Sequence, residues 1–179
     1  MPGSGKSTIA QALLSRLEEE EIHVQILTMD MLRGVMTPKP SYSEEERENV
    51  YATIVFVAKL LNQNGVNIII DATGNLRRYR DRGRRELKNL LIAYAKCSLE
   101  VCMEREMGRK FTFGAPREVY KKGLEGRSST VPGINVPYEE PLDAEVVVET
   151  DKLMPQECAE KIVEAIMIRF INKGKKESR

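Results

Sequence analysis

The string Gly3-Ser4-Gly5-Lys6-Ser7-Thr8 carries the most specific chemistry in the chain. Glycines let backbone N–H groups turn inward around phosphate oxygens, and a following helix adds the positive end of its dipole. In such a phosphate-binding loop Lys6 reaches the β- and γ-phosphates of a nucleotide, and the Ser7 hydroxyl ligates Mg²⁺. A chance Gly-Ser turn ahead of a helix is the plainer alternative, but it does not explain an unbroken string within an α/β pattern. The full motif, G-x-x-x-x-G-K-[ST], places its first glycine just ahead of Met1, and the strand that normally feeds the loop is missing from the sequence. That strand is normally central in a parallel sheet, so its loss is severe. The expectation is an in-frame apolar segment ending in glycine upstream of Met1.

Two carboxylates stand where α/β proteins place their ligands, at the C-terminal ends of apolar runs. Asp30 follows Val24–Leu27 and is positioned to accept or orient the proton of an attacking hydroxyl; equally, it is a suitable N-cap for a helix from Met31 onward. Asp71 closes the run Val66–Ile70, which suits a Mg²⁺ ligand, direct or through water, or a cap or turn residue. Arg77, Arg78, Arg80, Arg82, Arg84 and Arg85 are too closely spaced to share one helical face; a mostly solvated basic face is expected, with one or two reaching a site. The lone His23 reads as structural, so no histidine mechanism is built on it.

The elements that must position these residues alternate. Ser7 to about Glu20 reads as a helix with Ile9, Leu13 and Leu17 on one face, Val24–Leu27 as a strand, and 34–40 as a loop. Ser43-Glu44-Glu45-Glu46 is a capping box opening a helix that runs to Asn64-Gly65. After the strand at Val66–Ile70 come a basic helix from Leu76 to about Lys88, a strand at 90–95 and a helix from Leu99 to about Met107. Residues 108–141 form a long Gly-, Pro- and Lys-rich stretch with a short helix at 117–124, the mark of a functional lid. A strand at 145–149, a helix opened by Pro155 and a charged, frayed tail at 173–179 complete the chain. The expected fold is one α/β domain over 1–179: a three-layer parallel sheet with helices on both faces, of the P-loop NTPase, nucleoside-kinase-like type, lacking its first strand.

Composition narrows the class. Apolar residues make up 41%, enough for a core, and Lys+Arg 28 against Asp+Glu 27 leave a net charge of +1, which gives no reason to expect DNA or a membrane surface as partner. Cys97, Cys102 and Cys158 have no metal-like pairing and read as reduced, buried thiols of a cytoplasmic protein.

Beyond the loop, the chain resembles the adenylylsulfate kinase family nearly end to end. Tyr120-Lys121-Lys122-Gly123-Leu124-Glu125-Gly126 is similar to that family's Tyr-Lys-Lys-Ala-x-x-Gly lid segment, and Gly133-Ile134-Asn135-Val136-Pro137-Tyr138-Glu139 to its Gly-Ile-Asp-Asp-Pro-Tyr-Glu. Leu99-Glu100-Val101-Cys102 and Thr150-Asp151-Lys152-Leu153 also match. The family's Asp-Gly-Asp-x-x-Arg falls on Thr28-Met29-Asp30-Met31-Leu32-Arg33, and its Phe-Ser-x-x-x-Arg on Tyr42-Ser43-Glu44-Glu45-Glu46-Arg47. The resemblance implies ATP-dependent phosphorylation of the 3′-hydroxyl of adenosine 5′-phosphosulfate (APS), with Mg²⁺. It implies Asp30 as base, and Arg33, Tyr42, Arg47, Lys121, Lys122, Ile134 and Tyr138 as substrate contacts. Arg105 and the Thr150-Asp151 loop are candidates for the adenine of ATP. A homodimer and functional coupling to ATP sulfurylase are compatible with it.

The chain departs from the family pattern in places. Thr28 replaces the first aspartate, Val50 an asparagine and Val131 a lid aromatic, and an insertion lies at about Gly108–Ala115. The string Asp71-Ala72-Thr73-Gly74-Asn75 looks more like kinases of polynucleotide ends or aminoacyl-tRNA, so another hydroxyl, including that of a small metabolite, is the alternative acceptor. A non-catalytic nucleotide switch is a third reading, but no guanine-reading Asn-Lys-x-Asp string is present.

Overall fold

The computed structural model describes residues 1–112 and 114–171; the tail at 173–179 and Phe113, within the insertion, lie outside the described residues. Helix α1 (Lys6–Glu19) leads to β1 (Val24–Thr28), α2 (Met29–Met36), α3 (Glu44–Gln63) and β2 (Asn67–Asp71). Then follow α4 (Arg77–Glu86), β3 (Ala93–Lys96), α5 (Leu99–Gly108), α6 (Val119–Leu124), β4 (Val146–Glu149) and α7 (Pro155–Ile166), which runs into a π-helical turn at Met167–Ile171.

Two-residue periodicity divides the strands between two cores. Ile69 and Ala95 pack toward Ile9, Leu13 and Leu17 of α1 and Ile162 and Val163 of α7. Leu27 and Ile70 face the other way, toward Val50, Tyr51, Ile54 and Val55 of α3 and Tyr79 of α4. The result is the expected three-layer α/β arrangement. A third cluster of Cys97, Cys102, Tyr120 and Val131 ties α5 and α6 together. All three cysteines are free and buried.

All ladders among the described residues are parallel, but they form two two-stranded sheets, β1–β2 and β3–β4. A cavity of about 900 Å³, walled by Ile68–Ile70 of β2, Ala93–Ala95 of β3, and side chains of α1, α3, α4 and α7, separates them. No strand precedes Gly3 among the described residues.

The 34–40 loop expectation is corrected at its start. Helix α2 continues through Gly34 to Met36, and its N-cap is Thr28, whose Oγ1 accepts from Met31 N at 3.2 Å. Asp30 therefore sits in the first turn of α2, with its carboxylate free of the capping role. The capping box at α3 is half formed. Ser43 Oγ accepts from Glu46 N at 3.2 Å, but the Glu46 carboxylate turns away to Ser41, Tyr42 and Arg33.

Candidate active site

A second cavity, of about 800 Å³, opens over the phosphate-binding loop. Gly3, Gly5, Lys6, Ser7 and Thr8 line it together with Asp30, Asp71, Arg33, Tyr42, Arg47, Arg105 and Lys122. The loop's backbone demands its glycines. Gly5 caps α1 at φ 85°, and at Gly3, with φ 76°, a Cβ would overlap the carbonyl oxygen of Cys102. Ser4, within the loop, is fully buried, with an unpartnered Oγ.

Lys6 Nζ donates to the carbonyl of Met1 at 2.6 Å. Burial pushes its ammonium below the ordinary lysine range, against the pull of Asp71, Cys102 and Asp30, and Arg109 pushes the same way as burial. Asp30 is raised, first by burial and then by the negative charge of Asp71, while Arg33, Lys6 and Arg109 oppose the rise. Two carboxylates that feel each other, a serine hydroxyl on the same wall and a buried cation make a hard-oxygen donor set beside an anion cradle. Such a set fits Mg²⁺, which takes one or two protein oxygens and completes its shell with phosphate and water. Among the described residues no cluster of His, Cys, Asp and Glu could hold a metal without such help.

The acceptor wall is built from α2 and the start of α3. Arg33 is 7% exposed and pairs through Nη1 with Glu46, whose carboxylate also accepts from Ser41 N at 2.6 Å and Ser41 Oγ at 2.8 Å. The Arg33 guanidinium lies 4.8 Å from the Tyr42 ring centroid and that of Arg47 lies 5.8 Å from it. Tyr42 adopts φ 56°, a left-handed conformation uncommon for a side chain of this size. Arg47 Nε donates to Tyr42 O at 3.0 Å and its Nη2 to Thr130 O, joining this wall to the segment after α6. Arg105 donates to Thr150 O at 2.8 Å, so the two candidates for the adenine of ATP are in contact.

Lys121, Ile134, Tyr138 and the arginines of α4 do not line this cavity. Lys121 is exposed and pairs with Glu118 at 3.3 Å, away from the cavity that its neighbour Lys122 lines. Ile134 packs on the Cys97–Tyr120–Val131 cluster. Tyr138 stacks on Tyr94 with centroids 6.3 Å apart and borders the cavity between the sheets instead. The basic helix sends no arginine to the active-site cavity. Arg78 pairs with Glu44, Arg82 with Glu48, Arg84 with Glu145 and Asp143, and Arg80 donates to the carbonyls of Gly74 and Glu139.

Other departures have structural explanations. Val50 is fully buried and Val131 nearly so, both as core residues. Asn75 is 2% exposed and donates to Pro137 O at 3.1 Å, while Tyr51 Oη accepts from Gly74 N at 2.7 Å; the Asp71–Asn75 string thus locks the 133–139 segment to the sheet. Sequence reasoning missed Arg109, Phe111 and Thr112, which the insertion brings to the cavity rim. Only their clustering between two helices hinted at them.

A phosphate-binding loop opening a helix, one carboxylate at the end of β2 and another in the first turn of α2, and an arginine-rich wall facing them define a P-loop phosphotransferase. The family profile for adenylylsulphate kinase matches residues 1–149, and this chain belongs to that family. A probable adenylyl-sulfate kinase of Archaeoglobus fulgidus is 35% identical over 84% of this chain and 91% of its own length. A probable bifunctional SAT/APS kinase of Sorangium cellulosum is 31% identical over 91% of this chain but only 26% of its own. The APS kinase CysC of Mycobacterium tuberculosis, solved with AMPPNP and APS, superposes with a TM-score of 0.81 at 23% identity, covering 93% of this chain and 92% of that one, which establishes the shared fold.

Proposed function

We propose that this protein transfers the γ-phosphoryl group of ATP to the 3′-hydroxyl of adenosine 5′-phosphosulfate. The reading is carried by one observation: Lys6 and Ser7, Asp30, and the Arg33–Tyr42–Arg47 wall meet in one cavity, in a chain of the adenylylsulfate kinase family.

The roles follow from the chemistry of each group. Backbone N–H groups of residues 3–8 cradle the ATP phosphates, and Lys6 leaves the Met1 carbonyl to reach the β- and γ-oxygens. Ser7 and Asp71 would hold Mg²⁺, which neutralises charge on the β- and γ-phosphates when bound. Asp30 accepts the acceptor hydroxyl's proton as that oxygen bonds to γ-phosphorus; the bond to the β–γ bridging oxygen breaks and ADP leaves with its electron pair. The upward displacement of Asp30 moves it toward neutrality, where a base works best. Arg33 and Arg47 present cations to the phosphosulfate, and the Tyr42 ring offers a face to the adenine. Arg105 with Thr150 serves the ATP adenine, and Lys122 adds positive charge from the lid. A homodimer, coupling to a sulfurylase and a cytoplasmic location belong to the same proposal.

The test is an acceptor screen with Mg²⁺-ATP, reading 3′-phosphorylated product by chromatography. The phosphosulfate is expected to be phosphorylated in strong preference to adenosine 5′-monophosphate. Turnover on another hydroxyl with none on the phosphosulfate would overturn the acceptor assignment.

A further inference from the structure

The described residues between α5 and α6, 109–112 and 114–118, lie as a strap beside the reacting centre. One end is pinned by Glu106, which is 3% exposed on the last turn of α5. Its Oε1 accepts from Arg109 Nη2 at 3.2 Å and from Val119 N, the first residue of α6, also at 3.2 Å. One carboxylate thus holds both ends of the strap. Arg109 Nη2 also donates to Pro116 O, which closes the strap on itself. Midway, Gly114 comes so close to the base that a Cβ there would sit 3.8 Å from Asp30 Cβ.

Arg109 is the cation that this arrangement delivers. It lines the same cavity as Lys6, Asp30 and Asp71, and its charge is felt at both Lys6 and Asp30. Its Nη2 is committed to the strap, whereas its Nε, like Oε2 of its partner Glu106, is buried without a partner among the described residues. A buried guanidinium N–H left unpaired is costly, and an anion that accepts from it removes that cost. Lys122 also lines the cavity, but its Nζ donates to Arg117 O at 2.9 Å.

We propose that Arg109 is a catalytic residue that contacts the non-bridging oxygens of the transferring phosphoryl group, and that Glu106 is its positioning residue. The inference rests on the phosphotransfer reading above but not on the identity of the acceptor. Charge builds on those oxygens as the acceptor bond forms and the bridging bond breaks, and a guanidinium fixed in advance at that point stabilises the transition state more than bound ATP.

The experiment compares Arg109→Ala, Arg109→Lys and Glu106→Gln with the parent protein, each first checked for cooperative thermal unfolding. Arg109→Ala is expected to lower kcat by about a thousandfold or more, within the range typical of transition-state arginines, and to change the KM of ATP by less than about threefold. Arg109→Lys is expected to recover little, because a lysine cannot reproduce the fork. Glu106→Gln is expected to lower kcat about tenfold at unchanged KM, since its amide oxygen still accepts from Val119 N. A second readout bypasses the acceptor: trapping of Mg²⁺-ADP with aluminium fluoride, expected to weaken at least tenfold in Arg109→Ala while binding of a non-hydrolysable ATP analogue is unchanged. Full trapping and turnover in Arg109→Ala would overturn the proposal. Loss of trapping in that variant, in a parent inactive on the phosphosulfate, would overturn only the acceptor assignment.

Discussion

The pair Arg33–Glu46 gives the sharpest test of how the acceptor wall is held. The Arg33 and Glu46 side chains are only 9% and 11% exposed, and Glu46 holds Arg33, the Ser41 N–H and hydroxyl, and the Tyr42 N–H at once. Glu46→Ala leaves a buried guanidinium without its counter-ion, which costs about 3–5 kcal/mol. At about 2–4 °C per kcal/mol for a chain of this size, the loss in Tm is roughly 10 °C. Replacing both partners with apolar side chains, Arg33→Met with Glu46→Leu, should recover most of that stability, because no charge is then stranded. It should not recover activity, since the Arg33 cation and the Tyr42 conformation go with it. Urea unfolding of the two singles and the double, with turnover on the phosphosulfate, completes the cycle. A Glu46→Ala variant within about 1 kcal/mol of the parent would refute the buried-pair reasoning. The pH dependence has a fixed sign. Burial alone would raise the Glu46 carboxyl, but hydrogen bonds from Ser41 and the charge of Arg33 outweigh it and hold it below its ordinary value. Its stabilising contribution is therefore complete above the unfolded carboxyl range near ~4.3 and is lost as pH falls through the lower folded value.

Other outcomes follow from the same geometry. Lys6→Ala should abolish transfer, and isothermal titration should show weaker ATP-analogue binding, because the cation that reaches the β- and γ-phosphates is gone. Asp30→Asn should lower kcat far more than it weakens ATP binding, as steady-state kinetics and direct titration would show. Asp30 is raised by burial and then by Asp71, so activity should fall as pH drops through that raised value. In Asp71→Asn the acid limb of the residual kcat/KM profile should move to lower pH, because the repelling charge is gone. Gly3→Ala should destabilise by about 2–4 kcal/mol, from a left-handed backbone and overlap with the Cys102 carbonyl, read as a drop in Tm.

Local signals were the legible ones. The phosphate-binding loop, the Ser43 cap and the apolar runs Val24–Leu27 and Val66–Ile70 are all written within a few residues, and the two strands form within one residue of those bounds. Helix α2 was only partly legible. Gly34 lowers its propensity and Asp30 competes with Thr28 as its cap; the buried packing of Met29 and Arg33 decides the matter. What joins distant segments left no trace in the sequence: the bond from Arg47 to Thr130 spans 83 positions, and the one from Tyr120 to Pro2 spans 118. The arginines of α4 read as a basic face because their acidic partners lie on other elements, Glu44 and Glu48 on α3 and Asp143 and Glu145 ahead of β4. The strap was visible as an insertion within the expected lid, but Glu106 and Arg109 were not visible as part of the site. Glu106 and Arg109 look like ordinary helix-end charges until burial and the contact with Val119 are seen.

The cavity between the two half-sheets bears on how the protein behaves in company. Strands β2 and β3 line that cavity with no ladder between them, so each presents an open edge of backbone donors and acceptors flanked by isoleucines and alanines. An open parallel edge is a template, and here two of them look into one slot. An extended apolar segment is the shape of ligand such a slot suits. An apolar strand peptide added in trans is therefore expected to raise the Tm of this chain by pairing in that slot.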